Sequence, residues 1–121
     1  MELKELKEAL FKCYSKDLCY KKVQEKWTLN NKCFGMCAIT SLLVQDYFCG
    51  DICKIHVNGI SHYFNLVEGK IIDLTASQFT CPINYENYQV VTREKILTED
   101  TNRRYTLLKA KLKRYRKSDV L

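Results

Sequence analysis

The chain has 121 residues, of which 46% are apolar, four are glycine and one is proline, so one domain with a sizeable core fits and a long linker or low-complexity tract is excluded. The net charge is +6, and it is local: eight of the twenty Lys and Arg residues lie between Arg103 and Lys117. No apolar run approaches the ~20 residues of a membrane span, and the charged start Met1-Glu2-Leu3-Lys4-Glu5 lacks a signal peptide's apolar stretch, which predicts a cytoplasmic protein with no membrane partner.

Leu3, Leu6, Leu10 and Tyr14 recur at helical spacing with Lys and Glu between them, which predicts an amphipathic helix over roughly the first fourteen residues. Ser15 to Asn31 is polar and irregular. Trp27 stands out there, either packed on the core or walling a substrate cleft ahead of the next element.

That element is Lys32-Cys33-Phe34-Gly35-Met36-Cys37-Ala38-Ile39-Thr40-Ser41-Leu42-Leu43-Val44-Gln45. A glycine turn leads into a cysteine that opens a helix running to Tyr47 or Phe48. Its apolar residues cover most of the circumference, so the helix is buried. Gly50 is placed to stop it. A thiol at a helix N-terminus sits where free N–H groups and the macrodipole favour negative charge, which raises the thiolate fraction.

Three short strands are predicted next: Ile52 to Val57, Ile60 to Val67 and Lys70 to Leu74, joined at Asn58-Gly59 and Glu68-Gly69. Two-residue turns put Val57 opposite Ile60, Ile55 opposite His62, Val67 opposite Lys70 and Phe64 opposite Asp73. One face then carries Cys53, Ile55, Val57, Ile60, His62, Phe64, Leu66, Ile71 and Asp73, and is read as the core face. Lys54, His56, Ser61, Tyr63, Asn65 and Lys70 form the polar face. His62 and Asp73 lie diagonally across adjacent strands, within side-chain reach.

Cys81-Pro82 to Gln89 reads as a loop or edge segment with aromatic residues at Tyr85 and Tyr88. Gln89 to Val91 suggests a further strand, Thr92 caps a short helix over Arg93 to Leu97, and Asp100 or Thr101 caps a last helix to about Tyr115. Tyr105, Leu108, Leu112 and Tyr115 give that helix an apolar stripe opposite its basic face.

Two ionisable side chains on an apolar face need a reason, because burying unpaired charge is costly. A His–Asp pair facing a helix that begins with Cys supplies one. Asp73 orients His62, His62 takes the Cys37 proton and returns it to the leaving group, and the Cys37 N–H helps hold an oxyanion. Taken alone, Cys37 reads as an inert buried thiol; its conjunction with His62 and Asp73 turns the reading to chemistry. Cys33-x-x-x-Cys37 and Cys49-x-x-x-Cys53 are the only close cysteine pairs. Their spacing is longer than a zinc knuckle's, so neither metal nor cofactor is expected.

The stretch from Trp27 to Phe79 resembles the YunG-like family. It does so in Trp27, Gly35-Met36-Cys37-Ala38-Ile39-Thr40, Val44-Gln45-Asp46-Tyr47, Gly50-Asp51-Ile52, Ser61-His62-Tyr63-Phe64-Asn65, Asp73-Leu74-Thr75 and Gln78-Phe79. Cys19-Tyr20 and Asn102-Arg103-Arg104-Tyr105-Thr106-Leu107-Leu108 extend the likeness. The resemblance implies a papain-like or transglutaminase-like Cys-His-Asp arrangement at Cys37, His62 and Asp73, and no particular substrate. Met36 stands where the family's usual pattern has glutamine, and Cys33, Cys49, Cys53 and Cys81 look particular to this chain.

The expectation is one α+β domain over residues 1–121: a buried Cys-bearing helix on an antiparallel sheet, with a papain-like core and flanking terminal helices. Its function is expected to be that of a small intracellular cysteine hydrolase or acyl/amide transferase acting on a peptide, amide, isopeptide or thioester bond. Cys37, His62 and Asp73 are its catalytic residues and Trp27 its substrate wall. The alternative is a non-catalytic module using the basic C-terminal helix for an anionic partner, nucleic acid or an acidic protein.

Overall fold

The computed structural model describes residues 1–120, with side chains through Lys117; Leu121 lies outside the described residues. The fold is α+β. In chain order the elements are α1 (Leu3–Cys13), α2 (Cys37–Phe48), β1 (Asp51–Val57), β2 (Ile60–Val67), β3 (Lys70–Ile72), β4 (Gln89–Val91), α3 (Arg93–Ile96) and α4 (Glu99–Val120). The strands form one antiparallel sheet in the order β3-β2-β1-β4. Among the described residues no helix is long and apolar enough to cross a membrane.

The register is the one the turns predict: Val57 pairs with Ile60, Ile55 with His62, and Val67 with Lys70. Asn58-Gly59 and Glu68-Gly69 both place their two central residues at positive φ, between 50° and 78°. That is the turn whose twist matches the flanking strands, and only a residue without a Cβ adopts it at low cost. β3 ends at Ile72, two residues before the predicted end, so Asp73 already belongs to the segment leaving the sheet.

The assignment of faces requires a correction. α2 packs on the face carrying Ile52, Tyr63, Asn65 and Ile72, the face read from sequence as polar. Asn65 is buried there, and its Nδ2 donates to the Ser41 carbonyl at 2.9 Å. The opposite face, with Cys53, Ile55, Val57 and Phe64, is covered by Phe79, Cys81, Ile83 and Tyr85. The centre of the sheet is therefore covered on both sides, which erases the simple in–out alternation expected of a half-exposed antiparallel sheet, while Ile60 and Ile71, read as core-face residues, are exposed at the strand ends.

α2 buries Ile39 through Val44 without a break, as its all-round apolar surface requires. It ends at Cys49, which itself adopts φ 63°, just before Gly50. Ser15 to Asn31 folds as three 3₁₀ turns, Lys16–Leu18, Lys21–Lys26 and Leu29–Asn31. α4 is capped by Thr98, whose Oγ1 accepts the Thr101 N–H at 3.2 Å, rather than by Asp100 or Thr101. Asp100 instead binds Arg103 and Arg104. Arg104 is buried, donates to the Leu18 carbonyl at 3.1 Å, and so ties α4 to the N-terminal turns.

Candidate active site

The segment before α2 is built to present Cys37. Trp27 donates its indole N–H to the Lys32 carbonyl at 3.1 Å, and the Gly35 carbonyl accepts the Tyr20 N–H at 3.0 Å. Gly35 has φ 73°; a Cβ there would collide with the Cys19 sulfur and stand 2.9 Å from the Tyr20 nitrogen. Met36 then precedes the first helical residue without a side-chain cap, so the free amides at this end are left to another acceptor. Replacing Gly35 by Ala is expected to cost about 2 kcal/mol or more by urea unfolding, through both the φ penalty and the clash. It should also slow alkylation of Cys37, because the turn that aims it must shift.

All seven cysteines are free. Cys13, Cys19, Cys33 and Cys53 are buried, and burial pushes their thiols up, those of Cys19 and Cys53 to about 11. Cys37 is partly exposed. Accessibility and position at a helix start coincide at this cysteine, the setting in which a thiol is reactive.

His62 and Asp73 meet. The His62 Nε2 lies 2.7 Å from Asp73 Oδ2, with the imidazole fully buried and the carboxylate 4% exposed. Asp73 accepts three more hydrogen bonds: from Tyr85 O–H at 2.8 Å, from Thr75 N–H at 3.3 Å and from Thr75 Oγ1 at 3.5 Å. Four donors hold the carboxylate in place, and the carboxylate fixes the ring with Nδ1 turned away from it. Phe79 meets the imidazole edge to face at 4.9 Å. Burial works against a charged ring, but Asp73 and the neighbouring Cys37 outweigh it and raise the His62 pKa to about 9.

Cys37 is thus coupled to His62, though more loosely than Asp73 is. Its charge is also felt by Tyr63, which points to the other side of β2. The β2–β3 ladder stops at Asn65–Ile72, so β2 has a free edge at His62 and Tyr63. His62 and Asp73 come together on the sheet face opposite the one α2 covers.

Trp27 packs its half-buried ring against the main core. A cleft of about 470 Å³ opens between α1 and the segment after Asp73; Phe11, Tyr14, Cys33, Leu74 and Ser77 line it together with Lys4, Lys7 and Lys12, and Trp27 is not among its walls. Three polar residues escaped the sequence reading: Tyr85, Thr75 and Gln78. Gln78 places its Nε2 3.4 Å from His62 Nδ1. No periodicity announces residues in an irregular segment; the available signals were that Tyr85 is an aromatic residue in a loop and that Thr75 and Gln78 fall in segments of the family resemblance. Met36, where the family pattern suggests glutamine, is fully buried in the main core.

The basic C-terminal helix is less uniformly free than its composition suggests. Arg104 is buried, and Lys111 pairs with Asp17. Lys109, Lys113, Arg116 and Lys117 border a groove of about 830 Å³ with Leu43, Tyr47 and Leu112. Among the described residues no group of three or more His, Cys, Asp or Glu is placed to hold a metal ion.

The profile of the YunG protein family matches residues 2–117. The uncharacterized protein YunG of Bacillus subtilis (strain 168) is 38% identical over 77 residues, which cover 64% of this chain. The aligned stretch spans 65% of that relative's length, just under two thirds. No solved structure matches the chain. With nearly the whole chain inside the family profile and this relative alongside, the chain belongs to the YunG family.

Proposed function

We propose that the chain is a cysteine hydrolase or acyl transferase with a papain-like Cys37–His62–Asp73 arrangement, acting on an amide, isopeptide or thioester carbonyl. The observation that carries this reading is the buried His62–Asp73 pair, 2.7 Å apart, coupled to a partly exposed cysteine at the start of a helix. A buried ion pair is a poor device for stability alone, since apolar residues of equal volume serve as well or better.

The steps follow from the chain's own groups. Cys37 gives its proton to His62 Nδ1, and the sulfur adds to the carbonyl carbon. The carbonyl π electrons move to oxygen, where the Cys37 N–H donates to the oxyanion. Collapse expels the amine or thiol, which takes the proton from Nδ1, and leaves a thioester on Cys37. Water or a second amine then gives its proton to His62, attacks the thioester and releases the sulfur. Asp73 keeps Nε2–H engaged throughout and stabilises the imidazolium. The cleft bordered by Leu74 and Ser77 adjoins Asp73 and Gln78 in sequence and is assigned to the acyl group, while Trp27 braces the segment that leads to Cys37. The basic groove beside α4 supports the second reading, an anionic partner, with fewer free cations than its sequence implies.

The test is acylation by p-nitrophenyl acetate. A burst of nitrophenolate with the acetyl group mapped to Cys37 is expected, and Cys37→Ser should remove it. Acetylation spread over Cys49 and Cys81, with none at Cys37, would defeat the proposal.

A further inference from the structure

We infer that Gln78 is a catalytic residue whose side-chain amide is the second donor to the oxyanion, beside the Cys37 N–H. The inference rests on the hydrolase reading above. Gln78 closes the 3₁₀ turn Ala76–Gln78, three residues after buried Thr75. Its backbone is held at both polar atoms. The N–H donates to the Thr75 carbonyl at 3.0 Å, and the carbonyl accepts from Asn31 Nδ2 at 3.0 Å. Asn31 belongs to the turn that leads into Gly35 and Cys37. The two donors therefore sit on segments tied to each other, as a preorganised pair must be.

The amide itself is only loosely engaged. Its Nε2 is 3.4 Å from His62 Nδ1 and 3.3 Å from Thr75 Oγ1, both near the outer limit of a hydrogen bond. Nδ1 accepts from Gln78 only while it carries no proton. On the charged ring that Asp73 and Cys37 favour, Nδ1 carries a proton and that acceptor is lost, which leaves the Gln78 N–H free for a carbonyl oxygen that becomes negative. Donor and base are thus coupled: the transfer that creates the nucleophile also frees the group that receives the charge. The core position of Met36 leaves this role open to a residue outside the Gly35–Thr40 motif.

The experiment compares two reactions at one sulfur. Attack on p-nitrophenyl acetate passes through an oxyanion, whereas iodoacetamide is displaced at a saturated carbon and forms none. In Gln78→Ala and Gln78→Glu, acetylation of Cys37 is expected to fall about 10²–10³-fold while its alkylation stays within about twofold. An unchanged acetylation rate overturns the role of Gln78 and leaves the hydrolase reading standing. A parallel fall of both rates shows that Gln78 merely supports the site, and likewise overturns the inference. Failure of the parent chain to acetylate at Cys37 removes the hydrolase reading and this inference with it.

Discussion

Replacing His62 by Asn is expected to slow iodoacetamide alkylation of Cys37 at pH 7 by about 10- to 30-fold, the ratio between a thiolate formed by a base and the roughly 3% thiolate of an unassisted thiol. The ring is the group to which the Cys37 proton can go, and Asp73 holds it there. Asparagine is smaller and still gives Asp73 an N–H, so the fold survives in weakened form. Cys49 is an internal reference. It is exposed and lies at the far end of α2, about 18 Å from Cys37 at 1.5 Å per residue. Its alkylation should not change, which separates loss of the base from general loosening. Peptide mapping of the labelled chain reads both rates in one sample. Equal rates at Cys37 in parent and variant would mean that the imidazole does nothing for the sulfur, and the proposed chemistry would fall with it.

The parts of this site that follow a period were legible in the sequence, and the parts that follow a tertiary contact were not. Asn58-Gly59 and Glu68-Gly69 fixed the register, and register alone brings residues 62 and 73 to one side of the sheet. The limits of α2 were equally plain, because a run from Cys37 to Phe48 that is apolar all round has one home. That same all-round character hid which face of the sheet it packs on. Asn65 looked like a surface residue, yet it is buried because the Ser41 carbonyl accepts its amide. The layer on the other side comes from Phe79 to Tyr85, which has neither helical nor strand periodicity. Tyr85 reaches Asp73 from that irregular stretch and Gln78 reaches His62 from the 3₁₀ turn just before it, so nothing in their spacing pointed there.

Asp73 governs how stability depends on pH, and this gives the second large effect. The native His62 has its pKa raised to about 9 against an ordinary 6.5, so the folded chain binds this proton more tightly than the unfolded chain. The stabilisation is complete below pH 6.5, on the order of 3 kcal/mol, and is lost as the pH rises through about 9. The window to measure is pH 6.5 to 8. Above it, buried Cys19, Cys53 and Tyr14, whose pKa values burial also raises, add a loss of the same sign. Within it, urea unfolding of the parent should lose stability steadily, on the order of 1–2 kcal/mol. Asp73→Asn removes the main group that keeps the ring charged and leaves burial opposing the charge. The slope should then flatten or invert, and the variant should be roughly 3 kcal/mol less stable than the parent at pH 6.5. Asparagine still accepts from Tyr85 or Thr75, so a loss of that size comes from the ion pair and not from an orphaned hydroxyl. A parent whose stability is flat from pH 6.5 to 8, and matches that of Asp73→Asn, would show that His62 is neutral in the native state. The transfer of the Cys37 proton to Nδ1 would then not be made in the resting chain and would have to occur during attack, which removes the resting thiolate–imidazolium pair.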